Sequence, residues 1–213
     1  MADNLSGFKF TNHADQATSS IGWDLGQFGY DSVVVNTLAG NDIIIGKSPY
    51  VGIYIRSKGT INTGIGNDAI TGIGRDESGN YGDGIANYGT INTGEGDDSI
   101  KATGSGGDYG MVNNKRGKII MGAGNDYIEV TSDRIFGSLL NDGTIDTGAG
   151  KDIVDALKGG FTGDGKTYLG SGNDTLKGFG TGSFYGGTGK DKILFSEGSY
   201  TISGSTIVWG AAP

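Results

Sequence analysis

The chain has 213 residues, a formal net charge of -8, one histidine and no cysteine. The acidic balance excludes nucleic-acid phosphate as a partner, and the missing cysteines exclude disulfide scaffolds and thiolate metal sites. Glycine fills 44 positions, yet 35% of residues are hydrophobic with Ile and Val recurring in register, so a folded repeat array is expected in place of a disordered chain.

Residues 1–35 contain no repeat and carry Phe8, Phe10, Trp23, Phe28 and Tyr30, aromatic surface suited to covering one end of a stack. Met1-Ala2-Asp3-Asn4 lacks the basic and apolar stretches of a secretory signal peptide, which argues against the general N-terminal export route. No window along the chain is long and apolar enough to span a bilayer.

From residue 38 a motif recurs seven times, G-x-G-x-D followed two residues later by an aliphatic residue. Its aspartates are Asp42, Asp68, Asp98, Asp126, Asp152, Asp174 and Asp191. The glycine two residues before is Gly40, Gly66, Gly96, Gly124, Gly150, Gly172 or Gly189. Four residues before stand Gly64, Gly94, Gly122, Gly148, Gly170 and Gly187, with Leu38 the exception. The aliphatic positions are Ile44, Ile70, Ile100, Ile128, Val154, Leu176 and Ile193.

A second segment precedes the motif: Gly59-Thr60-Ile61-Asn62, Gly89-Thr90-Ile91-Asn92 and Gly143-Thr144-Ile145-Asp146, with Gly117-Lys118-Ile119-Ile120 a looser copy. Alternation turns Ile61, Ile91, Ile119 and Ile145 inward and leaves Thr60, Thr90, Lys118 and Thr144 outside. Further upstream, Gly52-Ile53, Gly84-Ile85 and Gly110-Met111 open another strand, and Asn87 and Asn141 take the turn two residues before the next glycine.

The aspartates are 26, 30, 28, 26, 22 and 17 residues apart, a period expected of a solenoid, and no apolar run has helical spacing. The expected fold is all-β: a single-stranded parallel β-helix, or β-roll-like solenoid, of about seven coils with terminal caps, roughly 35 Å long. The domains are a 1–35 cap, a 36–194 repeat region, and a 195–213 cap in which 200–209 is expected to form a hairpin around Gly204-Ser205. Segments 72–83 and 155–165 are expected to be surface insertions, with a slimmer stack toward the C-terminus.

Superposed coils bring the carboxylates within about 5 Å, a repulsion of about 1–3 kcal/mol per neighbouring pair against a folding free energy of about 5–15 kcal/mol. Only Lys151 and Lys190 adjoin the aspartates in sequence, so bound cations are the expected remedy. Calcium suits an all-oxygen set of six to eight ligands, whereas zinc wants His or Cys. The glycines permit turns that aim carbonyls inward, and Asn67, Asn125 and Asn173 offer further oxygens or support the turn.

The motif resembles the RTX, or haemolysin-type, calcium-binding repeat over about residues 38–194. The resemblance implies several Ca2+ ions between successive turns. Their ligand-bearing positions would be Asp42, Asp68, Asp98, Asp126, Asp152, Asp174 and Asp191, with Gly64, Gly66, Gly94, Gly96, Gly122, Gly124, Gly148, Gly150, Gly170 and Gly172. Only Gly186-Gly187-Thr188-Gly189-Lys190-Asp191 has the family's double glycine; the others begin with Thr37, Thr63, Thr93, Met121, Thr147 or Leu169. One motif per coil places calcium on one side of the rod. The resemblance further implies type I export with a C-terminal signal, hence an extracellular or cell-surface location.

Function is therefore read as non-enzymatic: a secreted surface, matrix or adhesive component with calcium, and cell-surface polysaccharide or matrix, as partners. A periplasmic or cytoplasmic calcium buffer is the alternative location and role. Two other classes compete with this reading. A polysaccharide-acting β-helix enzyme would need an acid partner for Arg56, Arg75, Arg116 or Arg134, and none is identifiable. An ice-binding face would use the file Thr60, Thr90, Thr144, which Lys118 interrupts. His13 and the run Lys115-Arg116-Gly117-Lys118 read as solvated surface.

Overall fold

The computed structural model describes residues 5–19, 22–25, 33–75, 82–133, 137–178, 180–195 and 206–208. They form a β-solenoid whose strand pairs are parallel, wound into three sheets that run along one axis.

The sheet that follows the aspartates contains eight strands, from Gln16–Ser19 and Ile43–Lys47 through Ala69–Ile73 and Ser99–Thr103 to Lys192–Leu194. A second sheet, which ends in the asparagines, comprises Trp23–Leu25, Val51–Ile55, Asp83–Asn87, Met111–Asn113, Leu139–Asn141 and Phe161–Thr162. The third carries the threonine segments, with Val34–Asn36, Thr60–Ile65, Thr90–Glu95, Lys118–Ala123, Thr144–Asp146, Lys166–Tyr168 and Ser183–Tyr185 in register.

Each sheet alternates, and its inward residues stack on their own kind. Ile44, Ile70, Ile100, Ile128, Val154 and Leu176 form one buried column, and Ile61, Ile91, Ile119 and Ile145 a second. Ile53, Ile85, Met111, Leu139 and Phe161 complete the core from the asparagine sheet. Thr60, Thr90 and Thr144 do face out in one file, but Lys118 and Lys166 stand among them.

Three boundaries differ from the sequence reading. Parallel pairing begins at Gln16–Ser19, Trp23–Leu25 and Val34–Asn36, so the stack starts inside the expected 1–35 cap. The segment 155–165 is no mere insertion: it carries Phe161–Thr162, which pairs with Leu139–Asn141 and buries Phe161. Thr206–Val208 adds a parallel strand beside Ser183–Tyr185, while the expected hairpin partner, 200–205, lies outside the described residues. Toward the C-terminus, among the described residues, Phe161 is met by a single parallel bridge at Gly180.

Among the described residues no helix is long and apolar enough to cross a membrane.

Candidate functional site

The G-x-G turns stack glycine on glycine. Gly94 and Gly96 have φ of +102° and +131°, a region in which a side chain is costly. Space excludes one too: a Cβ on Gly94 would lie 2.0 Å from the Gly64 carbonyl oxygen, and one on Gly150 would lie 1.6 Å from that of Gly124. Leu38 adopts the same positive φ, +81°, with its side chain half exposed. The four-before carbonyls are engaged as acceptors, since Ile65 donates to Leu38, Ser171 to Gly148 and Thr188 to Gly170.

The aspartates that follow do lie one above another, with their side chains turned into the solenoid. Asp42, Asp68, Asp98, Asp126, Asp152 and Asp174 are at most 2% exposed, and Asp191 is half-buried at the end. Each Oδ1 accepts the backbone N–H of the aspartate one coil earlier: Asp42 to Asp68 at 2.7 Å, Asp68 to Asp98 at 2.8 Å, Asp98 to Asp126 at 2.9 Å. The ladder continues from Asp126 to Asp152, Asp152 to Asp174 and Asp174 to Asp191. An amide dipole thus stands between successive carboxylates, tempering the repulsion that their spacing implies.

A second ladder runs beside it on the outside, in the opposite sense. Asn41 accepts from Asn67 N–H, Asn67 from Asp97, Asp97 from Asn125, Asn125 from Lys151, and Asn173 from Lys190. The structure therefore parts Asn67, Asn125 and Asn173, which are exposed and committed to the neighbouring turn, from the buried carboxylates. Lys151 and Lys190 enter through their backbone amides.

What remains open is Oδ2. In Asp42, Asp68, Asp98, Asp126, Asp152 and Asp174 this oxygen is buried and has no hydrogen-bond donor. Burial without a partner disfavours the charged form. Burial accordingly raises Asp68 and Asp152, and takes Asp98 and Asp174 to about 6 and Asp126 to about 7, while the amide hydrogen bonds pull the other way. Thr63, Thr93 and Thr147 stand five residues before Asp68, Asp98 and Asp152, and Met121 at the equivalent place before Asp126. Those threonines spend their hydrogens on carbonyls of the next coil, Thr63 on Thr93 and Thr93 on Met121, both at 2.8 Å.

The donor chemistry fits a hard cation: carboxylate, hydroxyl and carbonyl oxygens, with no sulfur or imidazole. No three acidic or histidine side chains converge as a metal-binding group among the described residues. A calcium ion here would draw one or two carboxylate oxygens from the column and the rest of its shell from backbone carbonyls or water.

Sequence reasoning missed several parts. Asp15 occupies the aspartate position of a coil that lacks the glycines, and its N–H donates to Asp42 Oδ1 at 2.7 Å. Asn113 sits between Asn87 and Asn141 in a buried amide ladder, with Asn87 Nδ2 donating to Asn113 Oδ1 and Asn113 Nδ2 to Asn141 Oδ1, each at 2.9 Å. The two extra residues before Gly117 hid it; its spacing from Ile85 and Leu139 along the strands was the available signal.

Of the basic candidates, Arg56 is clamped on Asp24 by two hydrogen bonds and lies over the Tyr54 ring. Arg75, Arg116 and His13 are exposed, and Arg134 lies outside the described residues. No protein-family model matches the chain, and comparison with curated proteins and with solved structures returns no match.

Proposed function

We propose that this chain is a non-enzymatic, calcium-stabilised β-solenoid that is exported by a type I route and serves as a surface or matrix component. The observation that carries the calcium reading is the row of six buried Oδ2 atoms with no donor. Asp42, Asp68, Asp98, Asp126, Asp152 and Asp174 would hold the ions, with the half-buried Asp191 closing the column. Bound calcium supplies the positive charge that lets these groups ionise inside the fold. The chain's part is to keep the column straight: each Oδ1 is pinned by an amide, so the free oxygen of every level has one orientation. The resemblance to RTX repeats supports export, because calcium is scarce inside cells and abundant outside. Arg56, spent on Asp24, supports a non-catalytic reading.

Protein equilibrated in roughly 1–5 mM calcium should retain several calcium ions per chain by elemental analysis. EDTA should lower its Tm by more than about 10 °C, with calcium but not magnesium restoring it. A metal-free chain whose melt ignores EDTA would overturn the reading and leave the amide ladder as the aspartates' whole role.

A further inference from the structure

Beside the aspartates a second buried column runs along the rod, five residues before each of them. Coil by coil it reads Thr37, Thr63, Thr93, Met121, Thr147 and Leu169, none more than 1% exposed. Gly64, Gly94 and Gly122, which follow three of these residues, stand in strand register and keep the column vertical. A hydroxyl is present at every level except those of Met121 and Leu169.

The hydroxyl hydrogens are all spent in one direction. Thr37 Oγ1 donates to the Thr63 carbonyl at 2.6 Å. Thr63 donates to Thr93, Thr93 to Met121 and Thr147 to Leu169, each at 2.8 Å. A hydroxyl has one hydrogen and two lone pairs, so each of these oxygens is left with lone pairs alone. Thr63, Thr93 and Thr147 lie against the carboxyls of Asp68, Asp98 and Asp152, whose Oδ2 atoms are likewise acceptors without a donor. Thr37 holds the same place before Asp42. Two acceptor-only oxygens cannot satisfy each other, and together they suit a hard cation. At Asp126 and Asp174 the second oxygen is missing. Met121 offers a soft thioether, which a hard cation avoids, and Leu169 offers only hydrocarbon.

We propose that the threonine hydroxyls are cation ligands and that they grade the column into two classes of calcium level. Asp42, Asp68, Asp98 and Asp152, each with its threonine, bind tightly. Asp126 and Asp174, lacking that oxygen, bind at least about tenfold more weakly. The inference rests on the calcium reading above and adds to it the residues that rank the levels. Stoichiometry is then set by the companion column, and aspartate number alone does not predict it.

The test is calcium titration calorimetry on the full chain, with elemental analysis after desalting and circular dichroism to follow the fold. The parent is expected to show a tight class matching the threonine levels and to keep those ions through desalting. Thr93→Val, close in shape but without the hydroxyl, should lose one tight ion, and Thr93→Ser should retain it. Met121→Thr should gain one. A single class filling every aspartate level, or tight counts unchanged in both Thr93→Val and Met121→Thr, would overturn the proposal while leaving the calcium reading intact. No bound calcium in any variant would overturn both. Should Thr93→Val lose its fold, Met121→Thr decides: a gained tight ion supports the hydroxyl ligand and an unchanged count overturns it.

Discussion

The Asp98 backbone N–H donates to Oδ1 of Asp126 at 2.9 Å, across 28 residues of sequence. That bond makes the aspartate column a structural spine: it occupies one carboxylate oxygen at each level and buries the other without a donor. A buried carboxylate in this position needs a proton or a cation.

Without metal, the protein is expected to lose stability as pH rises. Burial holds Asp98 and Asp174 at about 6 and Asp126 at about 7, above their unfolded value. Their protonated forms therefore favour the fold. That contribution is complete below the unfolded pKa and fades as pH climbs through 6 and 7. In EDTA, Tm should drop by roughly 5 °C or more between pH 5 and pH 8. Calcium should reverse the trend, because it needs the ionised column. A Tm that rises with pH in EDTA would contradict the burial argument.

Asp98→Asn separates proton from metal. The amide keeps an oxygen for the Asp68 N–H and carries no charge, so in EDTA at pH 8 it should melt at or above the parent. In calcium the same variant should show a smaller gain than the parent. Asp42→Asn should change the calcium response less, since Asp42 lies at the N-terminal end of the column, above a turn in which Asp15 is bonded to Thr11. Calorimetry with and without calcium checks both, and an equal loss of response would argue against a continuous metal column.

Two turn substitutions should act in opposite directions. Gly150→Ala forces a Cβ to within 1.6 Å of the Gly124 oxygen and should cost more than about 3 kcal/mol in urea unfolding. Leu38→Gly relieves a positive φ of +81° at an exposed position and should stabilise by roughly 0.5–1 kcal/mol after the glycine's entropy cost.

The asparagine ladder should be the most sensitive polar feature of the core. Asn113→Ala removes one of two acceptors from Asn87 Nδ2, which keeps the Lys118 carbonyl, and one of two donors from Asn141 Oδ1, which keeps the Gly143 N–H, and opens a gap in buried surroundings. A loss of about 2–4 kcal/mol is expected. A loss below about 0.5 kcal/mol in chemical denaturation would mean that the carbonyl contacts of Asn87 and Asn141 with Lys118 and Lys166 suffice.

The parallel stack, its three columns of inward aliphatic residues and the vertical alignment of Asp42 to Asp191 were all determined by sequence. Strand alternation and a repeated glycine turn leave a chain no other register that buries Ile61 on Ile91 and Ile70 on Ile100. Only tertiary structure decided which way the carboxylates face and what they hold, because each partner is a backbone amide one coil away, at spacings from 17 to 30 residues. It also decided that Asp15 heads the column. Asp15 stands in a segment without the motif glycines, and stacking alone brings it beside Asp42.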